Sequence, residues 1–221
     1  MNRLGVISGL IGPIFFGLVV SVLTILNHDF LRGLGWHPLH APTFDWPSGL
    51  ALGPFGGLMT ATFILSGLML SLFALRLGAH LANVRRTSEV RRTYFTSGAI
   101  GSALFALAGL ALMGLAFTTD PTGVYPALRG STPPTWHGRL HDASFVLLGL
   151  TLLPAMLFLG RAFQRYARWS RLAVYTWITA ALIIPAFILK GIAFYLFLGG
   201  VLLWSEVIAW RLNRLSPGPP R

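Results

Sequence analysis

The chain has 221 residues, of which 54% are hydrophobic and only 10% charged, and its mean hydropathy is +0.69. Soluble domains carry roughly a quarter charged residues, and disordered chains have low hydrophobicity, so this composition excludes both classes. The net charge of +11 would by itself suggest nucleic-acid binding. The absence of cysteine excludes disulfides, thiolate metal sites and cysteine nucleophiles.

Long apolar runs separated by polar clusters predict membrane-spanning helices, each of which needs about 20 mostly apolar residues. No run alternates polar and apolar residues as a barrel strand does. The last apolar run is too long for one crossing, and Lys190-Gly191 near its middle predicts a tight hairpin. The predicted helices cover residues 4–26, 52–77, 95–117, 136–160, 172–189 and 192–210. We therefore predict an all-α, single-domain bundle of six transmembrane helices over residues 1–212, followed by a disordered cytoplasmic tail, 213–221.

The basic residues predict the orientation, because cytoplasmic loops of membrane proteins are enriched in Lys and Arg. With the N-terminus inside, 13 of the 17 basic residues fall on the cytoplasmic side and 4 on the outer side. Both termini are thus predicted to be cytoplasmic, in the cell membrane of a prokaryote. Because the arginines are dispersed as topology anchors, the lipid bilayer is the predicted partner and nucleic acid is not.

Small residues and prolines predict how the helices pack. Close glycine spacings occur at Gly5, Gly9 and Gly12 and again at Gly53 and Gly57, and small residues let membrane helices approach closely. We expect these faces to serve packing within the bundle, with a homo-oligomer as the alternative. Prolines at three positions are expected to kink their helices, namely Pro13, Pro154 and Pro185.

The two long outer loops hold most of the residues that could carry chemistry. Five of the six histidines and four of the six acidic residues lie on this side of the predicted membrane. The first loop carries His28, Asp29, Arg32, His37, His40 and Asp45, and the second carries Asp120, Arg129, His137, Arg139, His141 and Asp142. The simplest interpretation is that polar loops collect polar residues, and the more specific one is an outward-facing site.

The start of the fourth predicted helix provides the local argument for a site. Thr135 is the expected N-cap, and His137 and His141 then lie one turn apart on one helix face. Asp142 lies about 9 Å below the helix start, where a carboxylate needs a partner. We predict an outward-facing pocket, covered by the first outer loop, that binds a small or lipidic ligand through Asp120, His137, Arg139, His141 and Asp142.

Several alternatives remain open at this stage. His137, His141 and Asp142 could hold a divalent metal such as zinc, which would allow a metal-dependent membrane hydrolase, although no general base stands out. The protein could instead be a structural or partner-binding membrane protein. Asp120 could simply form a turn with Pro121. Glu206 could pair with Arg211, with Arg214 or with an arginine of an inner loop, or it could serve a transport path.

Four stretches carry a resemblance to a known family. They are Gly9-Leu-Ile-Gly-Pro13, the segment that starts at Gly53-Pro-Phe-Gly-Gly, Gly114-Leu-Ala-Phe-Thr-Thr-Asp-Pro121 and Gly138-Arg-Leu-His-Asp142. In this order and spacing they resemble a family of bacterial and archaeal six-helix membrane proteins, domain of unknown function 998. The resemblance implies an integral membrane protein with the Thr-Asp-Pro and Gly-x-x-His elements on the outer side, and it implies no activity.

Overall fold

The computed structural model describes residues 2–33, 36–37, 47–86, 92–120, 133–189 and 192–215, and the described residues are almost entirely helical and contain no β-strand. The all-α prediction is confirmed. In chain order the helices are α1 (Asn2–Leu26), α2 (His28–Gly33), a 3-10 helix (Ser48–Leu52), α3 (Gly56–Arg86), α4 (Arg92–Gly114), α5 (Trp136–Arg165), α6 (Ser170–Ala181), α7 (Ile183–Leu189) and α8 (Ile192–Leu215).

Five of these helices are long and apolar enough to cross a membrane, by length and composition: α1, α3, α4, α5 and α8. The fifth predicted helix, 172–189, is instead two short helices, α6 and α7, that meet at Leu182. Pro185 explains the break, because a proline ring clashes with the carbonyl four residues earlier, here that of Ala181. The helix is therefore interrupted near Pro185, whereas Pro13 and Pro154 lie within continuous helices.

Several helix boundaries differ from the predicted ones. The helix α3 begins at Gly56 rather than residue 52 and continues to Arg86 rather than 77. At 1.5 Å per residue, its 31 residues extend well beyond a hydrocarbon core of about 30 Å. Hydropathy marks only the lipid-embedded part of a helix, so α5 and α8 also run past their predicted ends. Residues 213–215 of the predicted tail are helical, and 216–221 lie outside the described residues.

The long helices form a closed ring in which each packs antiparallel to its neighbour. The order around the ring is α1, α3, α4, α5, α6 with α7, and α8, which returns to α1. The described residues of the first loop (27–33, 36–37 and 47–55) and of the second loop (115–120 and 133–135) lie at one end together with the start of α8, and we call this the loop end. The opposite end, where α1 starts and α8 finishes, carries most of the arginines and is called the basic end.

The closest helix contact joins α3 to α4. Cβ atoms built at Gly67 or Gly109 would overlap the backbone of the opposite helix. Beside this contact, Ser71 Oγ donates a hydrogen bond to the carbonyl oxygen of Ala106 at 3.0 Å. Because lipid supplies no hydrophobic force between helices, such close backbone packing is a main source of their association.

The glycines of α1 also serve the interior of the bundle. Gly5 lies against Leu72 and Arg76 of α3, and Gly9 lies between Phe73 of α3 and Ala209 of α8. The prediction of intramolecular packing by this face is thus confirmed by its contacts.

Two apolar clusters fill the ring. The cluster nearer the basic end is built around large buried rings, including Phe73, Phe105, Phe163, Trp169 and Trp204. The cluster nearer the loop end includes Phe16, Leu23, Leu31, Trp36, Leu50, Met59 and Phe63. Trp204 donates a hydrogen bond from Nε1 to Thr176 Oγ1 at 2.9 Å, which satisfies its indole within the first cluster.

We expect Gly109→Val to destabilise the bundle by about 1–3 kcal/mol, because its side chain would push α4 away from α3. Gly199→Val is the matched control, since Gly199 is exposed and a Cβ there meets nothing within 4 Å. Unfolding by SDS in mild detergent micelles measures both. Equal unfolding midpoints for the two variants would contradict the packing assigned to Gly109.

Candidate functional site

The start of α5 is capped by a residue that is itself held by the second loop. Thr135 has an extended backbone, and its Oγ1 accepts a hydrogen bond from the backbone N–H of Gly138 at 3.1 Å. The predicted N-cap is therefore confirmed. Asp120 accepts two hydrogen bonds from Thr135, from its backbone N–H at 2.7 Å and from its hydroxyl at 2.6 Å. A carboxylate at this position is also stabilised by the helix dipole.

Gly138 allows the carboxylate of Asp120 to lie directly against the first turn of α5. A Cβ atom at position 138 would occupy the space of both Asp120 carboxylate oxygens. Glycine is therefore needed here for close approach rather than for backbone flexibility. Asp120, Thr135 and Gly138 together form the connection between the end of α4 and the start of α5, which we call the α4–α5 junction.

His141 completes the α4–α5 junction from one turn further along α5. Its ring is 5% exposed, and Nδ1 lies 2.8 Å from the carbonyl oxygen of Phe117 and 3.2 Å from that of Leu115. Both partners are acceptors, so Nδ1 carries the proton and donates. The last carbonyls of a helix lack intrahelical partners, and His141 satisfies two carbonyls just beyond the end of α4.

His137 lies on the outside of the same turn. Its ring lies against Trp136 with 3.6 Å between centroids and a tilt of 34°, and it lies 6.1 Å from the ring of Phe117. Both His137 and Trp136 are exposed. The two histidines of the i, i+4 pair therefore have different roles. His141 binds backbone carbonyls inside the protein, and His137 remains at the surface.

Arg139 and Asp142 are also exposed at the loop end of α5. They are three residues apart, so their side chains are neighbours on the helix surface. The structure thus divides the five predicted site residues into two groups. Asp120 and His141 hold the α4–α5 junction, whereas His137, Arg139 and Asp142 lie on its surface.

The first loop is tied to α8 rather than to these residues in its described part. Trp36 donates a hydrogen bond from Nε1 to Tyr195 Oη at 3.1 Å. His28 Nδ1 lies 3.3 Å from an Asp29 carboxylate oxygen, and His37 is exposed. His40 and Asp45, which were predicted in the same loop, lie outside the described residues. No local sequence signal links Trp36 to Tyr195, because they are 159 positions apart.

The described ranges contain no group of three or more His, Cys, Asp or Glu side chains placed to hold a metal ion. His137, His141 and Asp142 are therefore not brought together as the predicted zinc-binding set. His141 is buried against the carbonyls that follow α4, whereas His137 and Asp142 are exposed on the surface of α5.

Glu206, near the basic end of α8, forms no ion pair with Arg211 or Arg214, the two partners suggested on its own helix. Its Oε2 atom is buried and has no hydrogen-bond partner among the described residues. Arg211 donates instead to the carbonyl oxygen of Arg168, at 2.6 and 3.0 Å, and the guanidinium of Arg214 lies 3.7 Å from the ring centroid of Trp210.

The fold and the apolar surface of its helices define an integral membrane protein with several spanning helices. A family profile described as "Protein of unknown function (DUF998)" matches residues 17–212 of the chain. The chain belongs to this family, as the resemblance suggested, and three of the four stretches lie within the matched range, whereas Gly9–Pro13 precedes it. Neither the curated proteins nor the solved structures contain a match to the chain.

We expect Asp120→Ala to lower the free energy of unfolding by about 1–3 kcal/mol, because it leaves the N–H and hydroxyl of Thr135 without their acceptor. Asp29→Ala is the control, since the carboxylate of Asp29 is exposed at the same end of the bundle. SDS titration and amide hydrogen exchange over 135–141 provide the measurements. Unchanged exchange in Asp120→Ala would show that the α4–α5 junction does not depend on this carboxylate.

Proposed function

We propose that this protein crosses the cell membrane six times and binds a small lipidic ligand by its polar head at the loop end, which faces outward. The observation that carries the proposal is that the polar residues at the α4–α5 junction fall into two groups, one buried and structural and one exposed. Asp120 and His141 are used to position the first two turns of α5, and three exposed polar residues, His137, Arg139 and Asp142, lie on those turns.

The six-span topology is supported by α6 and α7 acting together. Each is too short to cross alone, but Leu182 keeps helical dihedral angles and donates to the Ile178 carbonyl. The two helices therefore continue one another through the kink. Their combined span then places α5 and α8 in the same direction, and the arginine-rich end faces the cytoplasm, as the positive-inside rule requires.

The chemistry of the exposed residues favours a head group that carries a phosphate. The planar guanidinium of Arg139 is suited to bidentate phosphate binding. Asp142, one helical turn away, can accept a hydrogen bond from an ammonium or hydroxyl group of the same head. Trp136 is exposed at the helix start, and tryptophan prefers the interfacial region of the bilayer. These features suit a phospholipid better than a metal-dependent hydrolysis.

The topology is tested by single cysteines, which give no background because the natural chain has none. Asp29, Ser170 and Asn213 are exposed and are replaced one at a time. We expect a membrane-impermeant maleimide to label Asp29→Cys in intact cells and to label the other two only after permeabilisation. Labelling of Asn213→Cys in intact cells would indicate five spans and contradict the proposal.

The ligand is tested by native mass spectrometry of protein taken from phosphatidylethanolamine and phosphatidylglycerol membranes. We expect Arg139→Gln to retain several-fold fewer phospholipids than the wild type, because the phosphate loses its cation. Arg32→Gln is the control, since Arg32 is exposed at the same end. If replacing His137, Arg139 and Asp142 together leaves lipid retention unchanged, the loop end has a structural rather than a ligand-binding role.

A further inference from the structure

A cavity of about 110 Å³ lies inside the ring, where the two apolar clusters meet. Its wall is built by five helices, α1, α3, α4, α5 and α8, and the surface it exposes is almost entirely carbon. Residues that line it include Phe16, Leu70, Leu112, Leu148, Leu198 and Val201. An apolar cavity of about 150 Å³ stays dry and admits benzene, so this space suits a hydrocarbon group.

One face of α5 is closed near the basic end and open near the loop end. Gly160 packs against the indole of Trp177 on α6 so closely that a Cβ would overlap the ring. Gly149 precedes it by eleven residues, about three helical turns, and therefore lies on the same face. A Cβ at Gly149 meets nothing within 4 Å. The contact between α5 and its neighbour in the ring thus ends between these two glycines.

The break at Leu182 accounts for this opening. On the side of the break nearer the basic end, α6 packs against α5. On the side nearer the loop end, α7 packs against α8. Leu150 on α5 and Ile184 and Ile188 on α7 are each more than 60% exposed, so the outer surface of both helices is apolar at this level. A cleft between α5 and the α7–α8 pair, which we call the lateral cleft, therefore opens toward the surroundings of the bundle.

The lateral cleft and the cavity share a wall. Leu148 and Leu152, which line the cavity, are the residues one before and three after Gly149. On α8, the cavity is lined by Leu198 and Leu202, which lie closer to the loop end than Trp204 does. The lateral cleft therefore borders the wall of the cavity on α5.

We propose that the lateral cleft admits one acyl chain of a membrane phospholipid from the leaflet at the loop end, and that the chain's end occupies the cavity. In a membrane-spanning bundle the cleft opens into hydrocarbon, and an apolar wall favours a chain over a head group. Asp142 precedes Gly149 by seven residues, a rise of about 10 Å. A phospholipid whose head lies at Arg139 and Asp142 therefore places its chain at the level of the lateral cleft.

This inference rests on the proposed function only for the position of the head group. The probe is a phosphatidylethanolamine with a photoactivatable diazirine in the middle of one acyl chain, incorporated into nanodiscs that contain the full chain. After irradiation, peptide mass spectrometry locates the cross-links. We expect the wild type to be labelled at cavity residues such as Leu152 and Leu198 as well as at lipid-facing residues.

Gly149→Trp fills the lateral cleft and should lower labelling of the cavity residues at least fivefold. It should fold normally, because the new side chain starts in open space. Gly199→Trp is the matched control, since a Cβ at Gly199 also meets nothing within 4 Å and its helix neighbours Leu196 and Leu203 are exposed. Labelling of the cavity in this control should equal that of the wild type.

Two results would overturn the inference: wild-type labelling confined to lipid-facing residues, or equal cavity labelling in Gly149→Trp and Gly199→Trp. Arg139→Gln separates this inference from the proposed function. If Arg139→Gln retains as many phospholipids as the wild type while Gly149→Trp still lowers cavity labelling, the acyl-chain site stands and the head-group site fails. The reverse pattern would remove the acyl-chain site and leave the head-group site.

Discussion

The architecture depends on how closely α3 and α4 can approach one another. In lipid, helices gain little from hiding apolar side chains, so contact between their backbones must hold them together. Gly67 and Gly109 provide this contact, eleven residues after the start of α3 and five residues before the end of α4. Helices α1 and α5 pack on the two sides of this pair, through Gly9 against Phe73 and Gly101 against Leu159, and α6, α7 and α8 complete the ring. Every other feature of the bundle is arranged around this pair of helices.

The loop end illustrates the second constraint, that helix ends near a membrane need partners for their free backbone groups. At the α4–α5 junction one helix ends and the next begins, and each end is satisfied by a side chain from the other side. Asp120 follows α4 and holds the cap of α5, whereas His141 lies in α5 and binds the carbonyls that follow α4. This reciprocal arrangement fixes the direction in which the surface residues of α5 point.

The sequence allowed much of the fold to be predicted, because hydropathy reports directly on the length of chain that lipid can surround. The fold class, the N-cap at Thr135 and the proline-linked break near Pro185 all follow from local rules. Helix ends were predicted less well, since α3 continues to Arg86 beyond the part that hydropathy can detect. The candidate site was predicted only as a collection of residues, and helical spacing could not tell that His141 would turn inward.

The sequence by itself determined that the protein lies in a membrane and that its secondary structure is helical. Its apolar runs require a membrane, and in a membrane the backbone of these runs must satisfy its own hydrogen bonds as helices. Only the tertiary structure decided which polar residues are used internally, because that depends on which helix ends meet. It also decided that Gly149 borders a cleft while Gly160, on the same helix face, is packed. Helical spacing puts both glycines on the same face of α5, and only the position of the neighbouring helix leaves one exposed and the other packed.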